Sequence, residues 1–182
     1  MTERRNTIEL RSNGKRLIGY AAVFGLPSHD LGGWTEIINP QAFNRTLSEN
    51  PDVVALWDHD RRSVLGRTKS GTLALSVDSR GLKFEIDAPD TSTGRDVLEM
   101  VGRGDVTGAS FAFTAKEERW QEPDNGPAIR ELLDVDLLDV TITPHPAYPD
   151  TDVARRSLLQ NCYRGHLSPY RERVLTIMEM GL

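Results

Sequence analysis

A serine inside an apolar run has to account for its hydroxyl. Ser110 lies in Gly108-Ala109-Ser110-Phe111-Ala112-Phe113. The small residues before it leave room for a substrate backbone, and the aromatic neighbours can pack it rigidly. A buried hydroxyl needs a partner. A neighbouring backbone group would make Ser110 structural, whereas an imidazole would make it a nucleophile. The pattern is not the Gly-x-Ser-x-Gly elbow of the α/β-hydrolases, so that fold is not indicated.

Of His29, His59, His145 and His166, His59 is the best placed for such work. It follows the apolar run 53–57 in Trp57-Asp58-His59-Asp60, so its ring could emerge at a strand end over a cleft. Imidazole is the usual general base near neutral pH; the plain alternative is a structural or surface histidine. Asp58 and Asp60 add little, because adjacent strand residues point to opposite faces. Asp139 stands in Leu137-Leu138-Asp139-Val140-Thr141, and a carboxylate is seldom buried unless paired. It could orient an imidazole and stabilise its transient charge, or it could be a rim aspartate in solvent. Strand alternation puts Asp139 on the face of Leu137 and Thr141, and Asp136 on the other. Asp134 and Asp136 are therefore poorer candidates unless a bulge swaps the faces.

Other chemistries find less support. No His-x-x-x-His, Cys-x-x-Cys or His-Glu-x-x-His spacing occurs, and there is no glycine-rich phosphate loop. Neither a metal nor a cofactor is expected. Cys162 is the single cysteine, so no internal disulfide ties the chain to an oxidising compartment. A net charge of -5 argues against phosphate-backbone binding as the main task. No segment approaches the roughly 20 apolar residues of a membrane span, and residues 1–11 are too polar for a signal peptide. The expected setting is the cytosol of whichever cell makes the protein.

The elements that must position these residues read mainly as strands. Segment 16–24 is a buried strand ending in a Gly-Leu-Pro turn, and 34–38 is a short second one. Asn39-Pro40 opens a short helix over 41–47. Segments 73–77 and 82–86 form a hairpin around Asp78-Ser79-Arg80-Gly81. Thr91 to Thr93 can cap a helix over 94–103. Strand 107–114 carries Ser110, Ala112 and Thr114 on one side and Ala109, Phe111 and Phe113 on the other. Segment 129–143 is a long strand, bent near 134–136, that ends at Pro144, Pro146 and Pro149. The whole predicts an α+β fold, a closed or nearly closed β barrel with flanking helices. Residues 1–154 form the domain. Residues 155–182, Arg-rich and with a helix over 172–180, form a C-terminal extension.

In order along the chain, several segments resemble the prohead (capsid maturation) serine proteases of tailed phages, a family similar in fold to the herpesvirus assemblins. They are Ile18-Gly19-Tyr20-Ala21-Ala22-Val23-Phe24, Asn39-Pro40-Gln41-Ala42-Phe43, Leu56-Trp57-Asp58-His59-Asp60, Leu65-Gly66-Arg67 and Gly71-Thr72-Leu73. Gly108-Ala109-Ser110-Phe111-Ala112-Phe113, Leu138-Asp139-Val140-Thr141 and Pro146-Ala147-Tyr148-Pro149-Asp150-Thr151 complete the set. The resemblance implies a serine endopeptidase with Ser110 as nucleophile and His59 as general base. Family members more often carry Glu where Asp139 stands, and often Asn where Asp58 stands. The implied substrates are the scaffolding segment of the major capsid protein and the protease itself, cleaved inside the procapsid in the host cytoplasm, with self-association of the protease. Arg67 or backbone N–H groups are the oxyanion donors to look for. Two rivals stand beside this: a catalytically silent capsid-assembly or scaffolding module on the same fold, and an esterase or amidase acting on small molecules.

Overall fold

The two longest strands, β9 (Gly108–Gln121) and β10 (Ala128–Thr143), pair antiparallel and form the spine of the molecule. A computed structural model describes residues 2–7, 10–28, 30–49, 51–123 and 126–144 of the chain. The expected extension at 155–182, its helix, Cys162, His29, His145 and His166 lie outside the described residues. The remaining strands are β1 (Glu3–Thr7), β2 (Leu10–Asn13), β3 (Arg16–Val23), β4 (Trp34–Ile38), β5 (Val54–Trp57), β6 (Asp60–Arg67), β7 (Leu73–Val77) and β8 (Gly81–Asp87). Two helices, α1 (Asn44–Ser48) and α2 (Ser92–Arg103), complete the elements. Thr91 accepts a hydrogen bond from the Gly94 amide at 3.1 Å and so caps α2, as its sequence predicts.

The fold is mainly β with few helices. The strands make two sheets, one in the order β1-β9-β10-β5-β6 with β4 also on β10, the other β2-β3-β8-β7. Among the described residues no ladder joins them, so the strand count did not close into the expected barrel. The reason lies in pairing that strand propensity does not encode. The charged, irregular β1, β2 and β6 read poorly as strands, yet they supply sheet edges, where charge is tolerated. One core serves both sheets and both helices: Leu17, Phe84, Ile86, Val97, Val101, Phe111 and Ile142 belong to one buried cluster. Phe111 anchors it, 5.5 Å edge-on from Phe43 and 5.0 Å stacked on Phe113.

Along its flank opposite β9, β10 is served by two different parallel strands. β4 pairs with Ala128 to Leu132, and β5 with Asp139 to Ile142. Between them the backbone would be left bare. Segment 39–48 fills the gap: Val135 donates its amide to the Ala42 carbonyl at 3.1 Å, and Leu137 donates to Thr46 Oγ1 at 3.2 Å. Arg45 of α1 donates to Asp134 and to Asp136, each at 2.6 Å, which holds both carboxylates at this seam. The predicted helix 41–47 is thus a turn followed by a short helix, and the predicted bend in the long strand is where that helix docks.

At the far end of the large sheet, four strands converge on a buried charge cluster. Arg130 is 1% exposed and donates to Glu3, to Glu36 at 3.0 Å and, through Nε, to Glu118 at 2.7 Å. Burial alone would push the Arg130 guanidinium down. The Glu3 hydrogen bond and the charges of Glu36, Glu3 and Glu118 reverse that and hold it above the usual arginine range. Arg5 of β1 joins through Glu36 at 2.8 Å, so the N-terminal strand is tied to the core by charge. Removing one partner from such a cluster strands the others without compensation. Arg130→Ala is therefore expected to cost about 3–5 kcal/mol of folding free energy, read as a drop in the urea midpoint, with the weakened β1 exchanging its amides faster than β9.

Candidate active site

Ser110 and Ala112 lie on the face of β9 opposite Ala109, Phe111 and Phe113, which enter the core cluster. This matches the expected alternation. Ser110 has no exposed surface, so its hydroxyl is satisfied from within the protein. The partner is His59, whose Nε2 lies 3.0 Å from Ser110 Oγ. On the other side of the ring, Nδ1 lies 3.2 Å from Asp139 Oδ1 and 3.1 Å from Thr141 Oγ1. Thr141 Oγ1 in turn donates to Asp139 Oδ1 at 3.1 Å. The three residues singled out in the sequence meet in one place.

His59 arrives differently from the expectation. It does not project from a strand end; it is one of two residues in the turn between β5 and β6. Trp57 and Asp60 pair across the hairpin, and Asp58 and His59 between them have φ of +47° and +55°. Positive φ at both central positions is what a type I′ turn requires, and its twist matches that of the flanking strands. Asp and His enter this left-handed region more readily than most residues. Asp-His is nevertheless a weak turn signal beside Asn-Gly, and for that reason the sequence reads as a strand running on. Asp58 is more important than alternation suggested. Its amide donates to the Ile142 carbonyl at 2.9 Å, and its carboxylate accepts from Thr143 Oγ1 at 2.9 Å. Asp60 accepts from the Arg62 amide at 3.0 Å and from Ser63 Oγ at 3.1 Å, bracing the irregular start of β6.

Asp139 owes its position to a bulge. Leu137 pairs with Phe113 and Asp139 with Ala112, so Leu138 is an extra residue with no partner of its own on β9. Leu137 enters the core cluster and Leu138 is 40% exposed. The expectation that Asp139 and Leu137 share a face is therefore wrong, although Asp139 and Thr141 do share one. Uninterrupted pairing from Leu137 would have turned the carboxylate into the core. Asp134 and Asp136 are occupied by Arg45 and do not approach the imidazole cluster. Arg67 donates through Nε to Asp52 at 2.7 Å. Its pairing pulls Asp52 down to about 2, below the usual carboxylate range, and Nη2 donates to the same carboxylate at 2.5 Å.

Chemically, the cluster holds a hydroxyl, a base within hydrogen-bonding reach of it, and a carboxylate behind the base. That is the arrangement by which serine hydrolases activate their nucleophile. The family model for the caudovirus prohead serine proteases matches residues 3–163. The chain belongs to that family. It is thus a member of a serine protease family that acts in phage capsid maturation. No curated protein matches the sequence. A solved structure, that of the bacteriophage T4 capsid assembly protease, gp21, aligns over 78% of this chain and 98% of its own, with a TM-score of 0.49 and 8% identity.

Thr141 was not singled out from the sequence, because a threonine in a strand is an ordinary β former. Only its register opposite Ser110 and its two polar contacts distinguish it. For the turn, Asp58→Asn keeps both the acceptor oxygen and tolerance of positive φ. It is expected to leave the melting temperature within a degree or two. Asp58→Val puts a β-branched residue in the left-handed region and is expected to cost about 2 kcal/mol, seen as a lower urea midpoint.

Proposed function

We propose that this protein is the maturation endopeptidase of a tailed-phage procapsid, with Ser110 as nucleophile, His59 as general base and Asp139 as the carboxylate that orients the base. The observation that carries the reading is the 3.0 Å approach of His59 Nε2 to a serine hydroxyl that has no exposed surface, within a chain of this family. With Nδ1–H directed at Asp139, Nε2 offers a lone pair and Ser110 O–H donates to it. As Oγ attacks a peptide carbonyl, the proton passes to Nε2, and the imidazolium so formed faces the Asp139 carboxylate. The same proton then goes to the leaving amine as the peptide C–N bond breaks. Water, giving a proton to His59, attacks the acyl carbon, and His59 returns that proton to Ser110 Oγ as the ester breaks and the acid product leaves. Because Ser110 is enclosed, cleavage also needs a movement that uncovers Oγ to the substrate.

The substrates in this reading are the scaffolding segment of the major capsid protein and the protease itself. Both are cleaved inside the procapsid, within the host cytoplasm. Residues 1–154 carry the chemistry, and 155–182 act as an encapsidation or self-cleavage tail. Self-association inside the shell would couple activity to local concentration. Asp139 is one methylene shorter than the glutamate common in the family, and the bulge at Leu138 gives the shorter side chain its approach to Nδ1.

Co-expression with the phage's major capsid protein, followed by mass measurement of both chains, tests the reading. Ser110→Ala and His59→Ala should each lower processing by on the order of 10⁴-fold or more while the circular dichroism spectrum is unchanged. A silent assembly module predicts no difference between parent and variants. An esterase predicts turnover of small esters with the capsid protein left whole. Asp139→Asn should lower kcat by up to about 10⁴-fold without abolishing it; unaltered kcat moves the orienting role to another group.

A further inference from the structure

We propose that Thr141 is a positioning residue for this reaction: its hydroxyl selects the tautomer of His59 and holds the Asp139 carboxylate against the ring. The inference rests on the reading of Ser110 and His59 as nucleophile and base. It follows from counting donors. A threonine hydroxyl has one hydrogen to give and two lone pairs, a carboxylate can only accept, and a neutral imidazole has one N–H and one lone pair. Thr141 is fully buried, so its hydrogen bonds must come from the protein. Two partners lie in reach, Asp139 Oδ1 and His59 Nδ1, each at 3.1 Å.

With its hydrogen given to Asp139, Thr141 presents only lone pairs to Nδ1. The ring nitrogen then faces two acceptors, the Thr141 oxygen and Asp139 Oδ1 at 3.2 Å. It is favoured as N–H, which leaves Nε2 as the lone pair that Ser110 requires. The opposite tautomer would set the Nδ1 lone pair against the carboxylate, or draw the threonine hydrogen away from Asp139. Either way one bond of the triangle is lost.

The placement of this hydroxyl is rigid. Thr141 pairs with Ser110 in the β9–β10 ladder, and a β-branched side chain has few χ1 choices. Thr143, two residues on and therefore on the same face, donates to Asp58 at 2.9 Å, while the Ile142 carbonyl between them accepts from the Asp58 amide. Consecutive residues of β10 thus hold the turn that carries the ring, and the ring itself.

The test uses the full chain with ¹⁵N-labelled histidine, the His59 signals being assigned by their loss in His59→Gln. In the Ser110→Ala background Nε2 has no serine partner, so the tautomer is set from the Nδ1 side alone. The expected spectrum is Nδ1–H with Thr141, a raised share of Nε2–H in Thr141→Val, where Asp139 is the one acceptor left at Nδ1 and is no longer held against the ring, and Nδ1–H again in Thr141→Ser. With Ser110 present, Thr141→Val should lower kcat about tenfold with KM within twofold, and Thr141→Ser should restore it. Thr141→Ala gives the same comparison if valine lowers the melting temperature. An unchanged tautomer and kcat in the valine and alanine variants would overturn the proposal, as would a serine variant that fails to rescue. Processing that continues in Ser110→Ala would sink the protease reading instead, and the spectra, which need no turnover, would still decide the role of Thr141.

Discussion

A hydroxyl sealed from water inside a β-sheet has to find its partner in the protein, and the partner of Ser110 is an imidazole carried in from another hairpin. Three separate pieces of the chain must agree for that single 3.0 Å contact to exist. β9 supplies the hydroxyl, the β5–β6 turn supplies the ring, and β10 lies between them, bonded to both. Since β5 runs parallel to β10 and β9 antiparallel to it, one strand sets the registers of nucleophile and base alike. A one-residue slip of either partner would turn Ser110 toward the core or carry His59 about 3 Å along the sheet.

The irregularities of β10 fall where the site needs them. An ideal strand of this length would alternate without interruption and send Asp139 into the core beside Leu137. The extra Leu138 breaks the alternation and delivers the carboxylate to the imidazole, at the cost of an exposed leucine. Just before it, the bare stretch between β4 and β5 is bonded by segment 39–48, and Arg45 gathers Asp134 and Asp136. Neighbouring aspartates of one strand therefore serve two unlike purposes. Two of them dock a helix and one faces the imidazole.

Away from the site, the same sheet is closed by charge. Arg130, Arg5, Glu3, Glu36 and Glu118 come from β10, β1, β4 and β9 and bond one another in a buried cluster beside Trp34. Such a cluster adds less to stability than an apolar core of equal volume, but it tolerates few other arrangements, because each misplaced strand would leave a charge buried alone. Its geometric effect is to hold β1 in place along β9, with Asn6 level with Ser110. The strand that flanks the nucleophile is thereby anchored at its distant end.

Much of this was legible in the residues. An apolar run marked β3, apolar alternation marked β7, β8 and the start of β9, a threonine cap marked α2, and an apolar setting made Ser110 and Asp139 conspicuous, because buried polar groups demand partners whatever the fold. The ordered set of motifs pointed to the family that the match over residues 3–163 shows. Charged edge strands such as β1 and β6 were not legible, since their strand character comes from pairing and not from their own side chains. Nor were the Asp-His turn, the bulge at Leu138, or Thr141, whose contacts arise only when three distant segments meet. Local chemistry determined which residues needed partners; the long-range registers of β10 decided which partners they received, because hydrogen-bond ladders between strands remote in sequence leave no mark on either strand alone.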